Sequence, residues 1–311
     1  MNRWLAGADI GGTRTKIGLV DKETLEVAGV EVFPTEKYDR DIFMEQFLGA
    51  VERVCRKCSV SREELAGIGI GIGSYVFEPG GIVDSTWGYI PCLDGVALGD
   101  EVEKRLGISC AVDNDLRAIA LAESRIGAGK EYSRVLSITL GTGVGICLTV
   151  DGKFVEKEAV THLAGHIMVR GKDEWVESLD QKGCYCPIFG CIENTCSATA
   201  LEKMAREMVA PDIDNIQLFR LAREGRKEAK ECLQFFFDCL LRGLNQMVYI
   251  FSPDVIVLGG GITKGFGPYG EELGKGIKAR VHSRQRPELS ISRLEENSGI
   301  IGAALLWLVE K

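Results

Sequence analysis

Three glycine-rich turns, each at the end of a predicted strand, constrain the fold more than any other feature of the chain. They are Gly11-Gly12-Thr13, Gly141-Thr142-Gly143 and Gly259-Gly260-Gly261. Glycine allows backbone N–H groups to approach an anion closely, and such turns commonly bind phosphate. One glycine turn alone would be weak evidence. Three of them, in a chain whose strands alternate with helices, predict an α/β protein with two similar sheets and phosphate-binding turns in both halves.

The spacing of apolar residues gives the predicted elements. Strands are predicted at 5–10, 14–20, 27–33, 66–73, 109–112, 135–139, 144–150, 253–258 and 289–293, and helices at 41–54, 99–106, 116–126, 197–208, 227–251 and 299–309. Glycine and isoleucine alternate over 66–73, which predicts a buried strand that another backbone approaches closely. A chain of 311 residues is long enough for two domains. We expect an N-terminal lobe at 1–115, completed by a closing helix at 298–311, and a C-terminal lobe at 116–297.

Composition excludes several classes of function. The chain has 37 Lys and Arg against 45 Asp and Glu, a net charge of −8, and no basic run, so we expect no nucleic-acid partner. No apolar stretch approaches the roughly 20 residues that cross a membrane, and the N-terminus lacks a signal-peptide core. The 11 cysteines are an odd number scattered along the chain, which is typical of a reducing compartment. We therefore expect a cytoplasmic protein without a membrane partner.

Three cysteines and one histidine form a candidate metal site. Cys184, Cys186 and Cys191 lie within eight residues, and His166 precedes them by 18. Structural Zn²⁺ takes four such ligands, often three cysteines and one histidine. Spacings of this kind do not follow one helix face and suit a tight loop around a metal. We call residues 184–193 the cysteine loop. A metal bound there would hold the carboxylate of Glu193, two residues past Cys191, in a fixed orientation. The alternative is that these cysteines are reduced core residues.

The first glycine turn follows a carboxylate. Asp9 comes directly before it, Gly12 lets the backbone approach an anion, and the Thr13 hydroxyl is a further donor. Asp9 could hold Mg²⁺ through water, because Mg²⁺ keeps several waters beside one or two carboxylates. The pattern of a P-loop is absent, and no Gly-x-Gly-x-x-Gly joins the first strand to a helix. These absences argue against both of those nucleotide-binding folds.

A candidate general base lies at the end of the short strand at 109–112. The sequence there is Asp113-Asn114-Asp115, followed by a predicted helix. One alternative is that Asp113 or Asn114 simply serves as the N-cap of that helix. A carboxylate at a strand end facing a cleft is also well placed as a base. Phosphoryl transfer needs bound phosphates, a magnesium ion and a group that orients the attacking hydroxyl.

Taken together and in order, these motifs resemble the ROK family of sugar kinases, within the actin/hexokinase-like ATPase superfamily. The resemblance runs from Ala8 nearly to the C-terminus, and 191–201 is somewhat similar to the allose-kinase branch. The matching pieces are Asp9 to Thr13, Asn114-Asp115, Leu140 to Gly143, Gly165-His166, the cysteine loop and Pro253 to Gly261.

The resemblance implies a two-lobed, ribonuclease H-like fold with an interlobe cleft, and ATP-dependent phosphorylation of a hexose or hexose derivative at its 6-hydroxyl, as in glucokinases, allose kinases or N-acetyl-sugar kinases. It implies that Asp115 is the base, that Asn114, His166 and Glu193 face the sugar, and that His166 and the three cysteines of the loop hold zinc. The residues implied to face ATP and Mg²⁺ are Asp9, Gly12, Thr13, Thr142 and Gly260. We also expect a homodimer, and no DNA-binding arm, because the core begins within ten residues of Met1.

The chain departs from the family pattern near the sugar. Family kinases carry Glu-x-Gly-His, with a glutamate that binds two sugar hydroxyls, whereas this chain has Leu163-Ala-Gly-His166. Leucine accepts no hydrogen bond, and each lost bond to a charged acceptor costs roughly 1.5–3 kcal/mol. His162 could substitute for the glutamate, and the alternative is that it is an ordinary surface or core histidine. The segment between His166 and Cys184 is longer than usual and could cap the sugar, and Pro187 replaces the usual glycine.

Two other functions compete with a sugar kinase. Leu163 supports a non-catalytic sugar-binding regulator of the same fold, whereas Asp9, Asn114, Asp115 and the phosphate turns argue against it. A structural ATPase of the actin type is disfavoured by the cysteine loop. The sequence does not identify the sugar.

Overall fold

The computed structural model describes residues 2–86, 88–155, 164–171, 184, 186, 188–294 and 297–309. The strands are β1 Trp4–Ile10, β2 Arg14–Asp21, β3 Val27–Pro34, β4 Leu65–Ile72, β5 Tyr75–Phe77, β6 Ile82–Asp84, β7 Cys110–Asn114, β8 Arg134–Leu140, β9 Val144–Val150, β10 Lys153–Phe154, β11 Val255–Gly259 and β12 Glu288–Ile291. The helices are α1 Arg40–Lys57, α2 Leu98–Leu106, α3 Asp115–Arg125, α4 Ile192–Cys196, α5 Ala198–Met208, α6 Asn215–Arg223, α7 Lys227–Phe251, α8 Gly267–Arg280 and α9 Ser298–Val309. The predicted α/β class is confirmed.

The chain divides into two compact units. Unit 1 comprises 1–127, 152–161 and 294–311, and unit 2 comprises 128–151 and 162–293. The first unit therefore extends past the expected boundary at Asp115 and includes α3. The reason is packing: Leu121 of α3 shares a buried cluster with Leu305 and Leu306 of α9, and an added Cβ on Gly302 of α9 would overlap a backbone carbonyl of α3.

The sheet of unit 1 has the order β3-β2-β1-β4-β7. Strand β4 pairs in parallel with both β1 and β7, with Ile10 opposite Ile72 and Ile72 opposite Asn114. The carboxyl ends of parallel strands meet at one edge of a sheet. The first glycine turn, Gly73 and Asp115 therefore follow three aligned strand ends at the same edge.

Helix α9 lies directly on the glycines of this sheet. A Cβ on Gly69 would overlap the carbonyl of Ala303, and one on Gly7 would overlap the carbonyl of Ile300. The alternating glycines predicted a strand approached closely by another backbone, and this prediction is confirmed. The isoleucines between them, Ile68, Ile70 and Ile72, are fully buried in the core between the sheet and α1 and α2.

In the sheet of unit 2, β9, β8, β11 and β12 lie side by side in that order. Strands β8 and β11 are parallel, with Thr139 opposite Gly259, so the second and third glycine turns leave the same edge. The long helix α7 supplies more of the buried apolar side chains in the core of this unit than any other element. Within the described part of the chain, no helix has the length and apolarity needed to span a membrane.

Three helices in the described part of unit 2 were not predicted: the five-residue α4, α6 and α8. Helix α6 begins with a capping box, in which the Asp214 side chain accepts from the Gln217 N–H and the Gln217 side chain accepts from the Asp214 N–H. That pattern was available in the sequence. Helix α8 contains four glycines, at 267, 270, 274 and 276, which hide its periodicity.

Candidate active site

Asp115 is the first residue of α3 and follows the end of β7. Its Oδ1 accepts a hydrogen bond from the N–H of Leu116 at 2.9 Å. Its Oδ2 lies 3.6 Å from the point where a Cβ on Gly73 would stand, so the neighbouring strand end packs against the carboxyl. Burial, and after it the negative charge of Asp9, raises the pKa of Asp115 to about 6. A carboxylate with such a pKa can both accept and release a proton near neutral pH.

The two residues before Asp115 have structural partners. Asn114 is the N-cap of α3: its Oδ1 accepts from the Leu116 N–H at 3.0 Å, and its Nδ2 donates to the Ser74 carbonyl at 3.0 Å. Asn114 is therefore an N-cap, and whether it also binds a sugar stays a prediction. Asp113 forms an ion pair with Arg117, in which the Nε of Arg117 lies 2.6 Å from the Oδ2 of Asp113. Burial raises the pKa of Asp113, although Arg117 opposes that shift.

Asp9 lies one residue before the end of β1, next to the first glycine turn. A Cβ on Gly299 would approach the Asp9 side chain, which places this carboxylate against the first turn of α9. Burial raises the pKa of Asp9, while Lys16 and Arg14 lower it. Because the charge of Asp9 reaches Asp115, two carboxylates flank one site at this sheet edge. Oxygen donors of this kind suit a hard divalent cation such as Mg²⁺.

The first glycine turn is held by backbone and hydroxyl contacts. The Gly11 N–H donates to the Arg14 carbonyl at 3.2 Å, and the Thr35 hydroxyl donates to the Gly11 carbonyl at 2.7 Å. Thr13 is exposed, so its hydroxyl is accessible to a ligand. A Cβ on Gly12 would stand 2.6 Å from the Cβ of Tyr89, whose side chain lies over the turn.

The second and third glycine turns lie next to each other in unit 2. Gly260 has φ +99° and would place a Cβ into the backbone of Leu140, so glycine is required where the two turns meet. Within the second turn, the Gly141 N–H donates to the Gly143 carbonyl at 3.0 Å. Thr142 and Gly260 are both exposed at this edge. The structure therefore brings these two predicted ATP-facing residues together.

The four predicted metal ligands are also brought together. One ligand atom from each of His166, Cys184, Cys186 and Cys191 lies within 4.8 Å of the others. The Nδ1 of His166 is 3.3 Å from the Sγ of Cys184. Burial raises the pKa of the Cys191 thiol to about 11 and raises the pKa of the Cys184 thiol as well. Three thiols and an imidazole are the donors that Zn²⁺ prefers, and a bound cation would stabilise their thiolates.

Glu193 connects the cysteine loop with the second glycine turn. Its Oε2 accepts from the Val144 N–H at 3.2 Å, and its Oε1 lies 3.0 Å from the Sγ of Cys184. A Cβ on Gly143 would stand 2.7 Å from the same Oε2, so this glycine makes room for the carboxylate. The sequence gives no sign of this contact, because the two motifs are separated by about 50 residues.

Three predictions from the sequence concern Leu163, His162 and Pro187, which lie outside the described residues, as does most of the segment between His166 and Cys184. The sequence did not indicate that Tyr89 and Ser74 belong to the site, because neither residue is part of a recognisable motif. It also did not indicate Arg117, because Asp113 lies in β7 and Arg117 in α3, so the rule for ion pairs within one helix does not apply.

Comparison with known proteins identifies a family that covers nearly the whole chain. The model of the ROK family matches residues 5–310. An N-acetylgalactosamine kinase of Shewanella sp. (strain ANA-3) is 28% identical over 96% of this chain and 95% of its own length. A glucokinase of Thermotoga maritima is 29% identical over 96% of both chains.

Solved structures give the same result. The ROK hexokinase of Thermus thermophilus has a TM-score of 0.83 and 27% identity over 98% of both chains. A ROK family glucokinase of Streptomyces griseus, solved in complex with glucose and AMPPNP, has a TM-score of 0.71 and 25% identity over 97% of this chain and 98% of its own. Because the family model covers nearly the whole chain and both solved structures share its fold, the chain belongs to the ROK family.

Proposed function

We propose that this protein transfers the γ-phosphoryl group of ATP to a hexose or hexose derivative, at its 6-hydroxyl. The observation that carries the proposal is the partly buried Asp115, which lies beside Asp9 at a sheet edge and has a pKa of about 6. An acid with that pKa is ionised at neutral pH and can still accept the proton of the attacking hydroxyl. The named activities of the relatives, which include a glucokinase and N-acetyl-sugar kinases, support the same reaction class.

The remaining residues bind and orient the two substrates. On the sugar side, Asn114, His166 and Glu193 would contact hydroxyls near the reacting group. On the nucleotide side, the N–H groups and hydroxyls of the glycine turns would bind phosphate oxygens. The residues assigned to this side are Asp9, Gly12, Thr13, Thr142 and Gly260. Phosphoryl transfer depends mainly on such positioning, because little covalent chemistry falls to the protein.

Two cations fit the donors that the chain provides. When bound, Mg²⁺ would neutralise charge on the phosphate oxygens. Asp9 is the residue that would hold it, through water, at the sheet edge. Zn²⁺ would be structural, since His166 and the three cysteines fill four positions and leave none for water. We further propose that the protein is a cytoplasmic homodimer that does not bind nucleic acid.

In this proposal, Leu163 affects which class of hexose the pocket prefers. A pocket without the usual glutamate has one charged acceptor fewer. We therefore expect a hexose that carries an N-acetyl group, or that lacks or reorients the hydroxyls which the glutamate binds, to be preferred over glucose. The relatives named as N-acetylgalactosamine and N-acetyl-D-glucosamine kinases are consistent with such a substrate.

A screen of ADP release tests the proposal. The purified protein is incubated with Mg·ATP and, one at a time, with glucose, mannose, allose, galactose, N-acetylglucosamine, N-acetylgalactosamine and N-acetylmannosamine. We expect sugar-dependent ADP release with at least one of them and a 6-phosphate product by NMR. Saturable sugar binding without ADP release from any sugar would instead identify the non-catalytic regulator.

A further inference from the structure

The segment that follows His166 forms a small β-pair with the segment that ends at Cys191. Met168 and Cys191 are bridge partners in an antiparallel arrangement. The Val169 N–H donates to the Gly190 carbonyl at 2.9 Å, and the Ile192 N–H donates to the Ile167 carbonyl at 2.9 Å. This pair, residues 167–170 with 190–192, joins two of the four candidate metal ligands. Its position therefore sets the distance between His166 and Cys191.

One face of α7 holds this β-pair. The Nη1 of Arg242 donates to the Val169 carbonyl at 3.2 Å, and the Nε2 of Gln246 donates to the Met168 carbonyl at 3.2 Å. These two residues are four apart, one helical turn, so they lie on the same side of the helix. Together they fix one strand of the β-pair to the helix by its backbone.

Gly243 lies between these two donors and allows the other strand to approach. A Cβ at Gly243 would stand 2.6 Å from the Cδ1 of Ile192 and 3.2 Å from the Cγ1 of Val169. Ile192 is fully buried, so it cannot move into solvent. It also stands between Cys191 and Glu193, which means that any displacement of Ile192 is passed directly to a metal ligand and to the candidate sugar carboxylate.

We infer that Gly243, Arg242 and Gln246 are positioning residues. Because Gly243 has no side chain, Ile192 can pack against α7, and the position of Ile192 fixes Cys191 in the metal cluster and Glu193 in the sugar site. This inference rests on the proposed function and deepens it. Groups that orient metal ligands without touching the metal change metal affinity by about 10–100-fold when altered. This face of α7 has that role although it carries no motif of its own.

Three variants test it. Gly243→Ala adds one methyl group against Ile192. Gly276→Ala is the matched control: it lies in α8 of the same unit, where its Cβ would stand 2.8 Å from the Cδ2 of Leu241, so it crowds an aliphatic side chain to a similar degree away from the cysteine loop. The double variant Gly243→Ala/Ile192→Val removes the Cδ1 that the new methyl would overlap. Zinc release to a chromophoric chelator, the KM for the sugar and the melting temperature are measured for each.

Gly243→Ala should release zinc about tenfold faster than wild type and raise the sugar KM by a similar factor, since both groups move together. Gly276→Ala should match wild type in both measurements, whatever its melting temperature. The double variant should restore both to within about threefold. Equal zinc release from the two alanine variants, or no recovery in the double variant, overturns the inference.

The outcomes separate this inference from the proposed activity. A wild-type protein that retains zinc but phosphorylates no sugar would refute the kinase and leave the comparison of zinc release intact. A wild-type protein that binds no zinc would overturn the inference together with the metal assignment.

Discussion

The charge of Asp9 opposes the ionisation of Asp115 across the edge of the first sheet. Burial is the larger cause, and together the two raise the pKa of the Asp115 carboxyl to about 6. The pairing follows from register, because β1, β4 and β7 are parallel and end in line. The acid that is proposed to accept a proton thus lies beside the acid that is proposed to hold magnesium.

Asp115→Asn should reduce kcat by on the order of 10²–10⁴-fold while sugar binding remains measurable, because general-base catalysis contributes about that much. In the wild type, kcat/KM should fall as the pH drops through about 6, the pKa of the base. Steady-state kinetics and calorimetric titration of the sugar check both statements. Asp41→Asn, in the first turn of α1 and exposed, is the control. An Asp115→Asn variant within threefold of the wild-type kcat would exclude this role.

The same substitution should stabilise the fold at high pH. The folded pKa of Asp115 lies above its ordinary value of 3.8, so the ionised carboxyl costs stability. That cost is absent below about pH 4, grows between about pH 4 and pH 6, and stays constant above that range at about 3 kcal/mol at most, at 1.36 kcal/mol per pKa unit. The melting temperature of Asp115→Asn should therefore exceed that of the wild type at pH 8 and equal it near pH 4. A gain of the same size at both pH values would contradict ionisation of a buried carboxyl as the cause.

Protein purified without added metal should contain one zinc per chain. Cys191→Ser should abolish zinc retention, because the four ligand atoms lie within 4.8 Å of one another and removal of one opens the site. Cys92→Ser, outside the cluster, should retain the metal. Elemental analysis of the three proteins measures this. Full activity in a chelated, zinc-free protein would show that the metal does not hold Glu193 in place.

Gly69→Ala should destabilise the protein by about 1–3 kcal/mol or more, because its methyl group would overlap the Ala303 carbonyl and push α9 away from the sheet. The matched control is Gly49→Ala in α1 of the same unit, where the new methyl meets only the tip of Arg53 at 3.1 Å. Alanine there should be neutral or stabilise by up to about 1 kcal/mol, since glycine is unfavourable inside a helix. Thermal melting compares the two, and equal effects would argue against close packing of α9.

Leu163→Glu should raise kcat/KM for glucose by about tenfold or more, if this position is that of the sugar-binding glutamate, because about 1.4 kcal/mol is a factor of ten. The preference for an N-acetyl sugar should fall at the same time. Kinetics with both sugars measure the change. Tight glucose phosphorylation by the wild type that is unaffected by Leu163→Glu but lost in His162→Ala would assign the contact to His162 instead.

Local patterns were sufficient for much of the fold. The helix at 227–251 was predicted with its observed bounds, because its apolar periodicity is long and uninterrupted. The glycine and isoleucine pattern of β4 predicted a close backbone approach, and α9 makes it. Where the local signal is diluted, as in α8 with its four glycines, the helix is held by tertiary packing, and the sequence did not reveal it.

The sequence by itself determined which chemical groups are present and in what order: Asp9 before a glycine turn, Asp115 after a strand, and four candidate zinc ligands followed by Glu193. Only the tertiary structure decided which of these groups meet. Parallel pairing brings Asp9 and Asp115 to one sheet edge, and the loop that carries Cys184 brings Glu193 onto the turn at Gly143. The reason is physical: local propensity acts over a few residues, whereas a pKa of about 6 for Asp115 requires burial and a second charge that is distant in sequence.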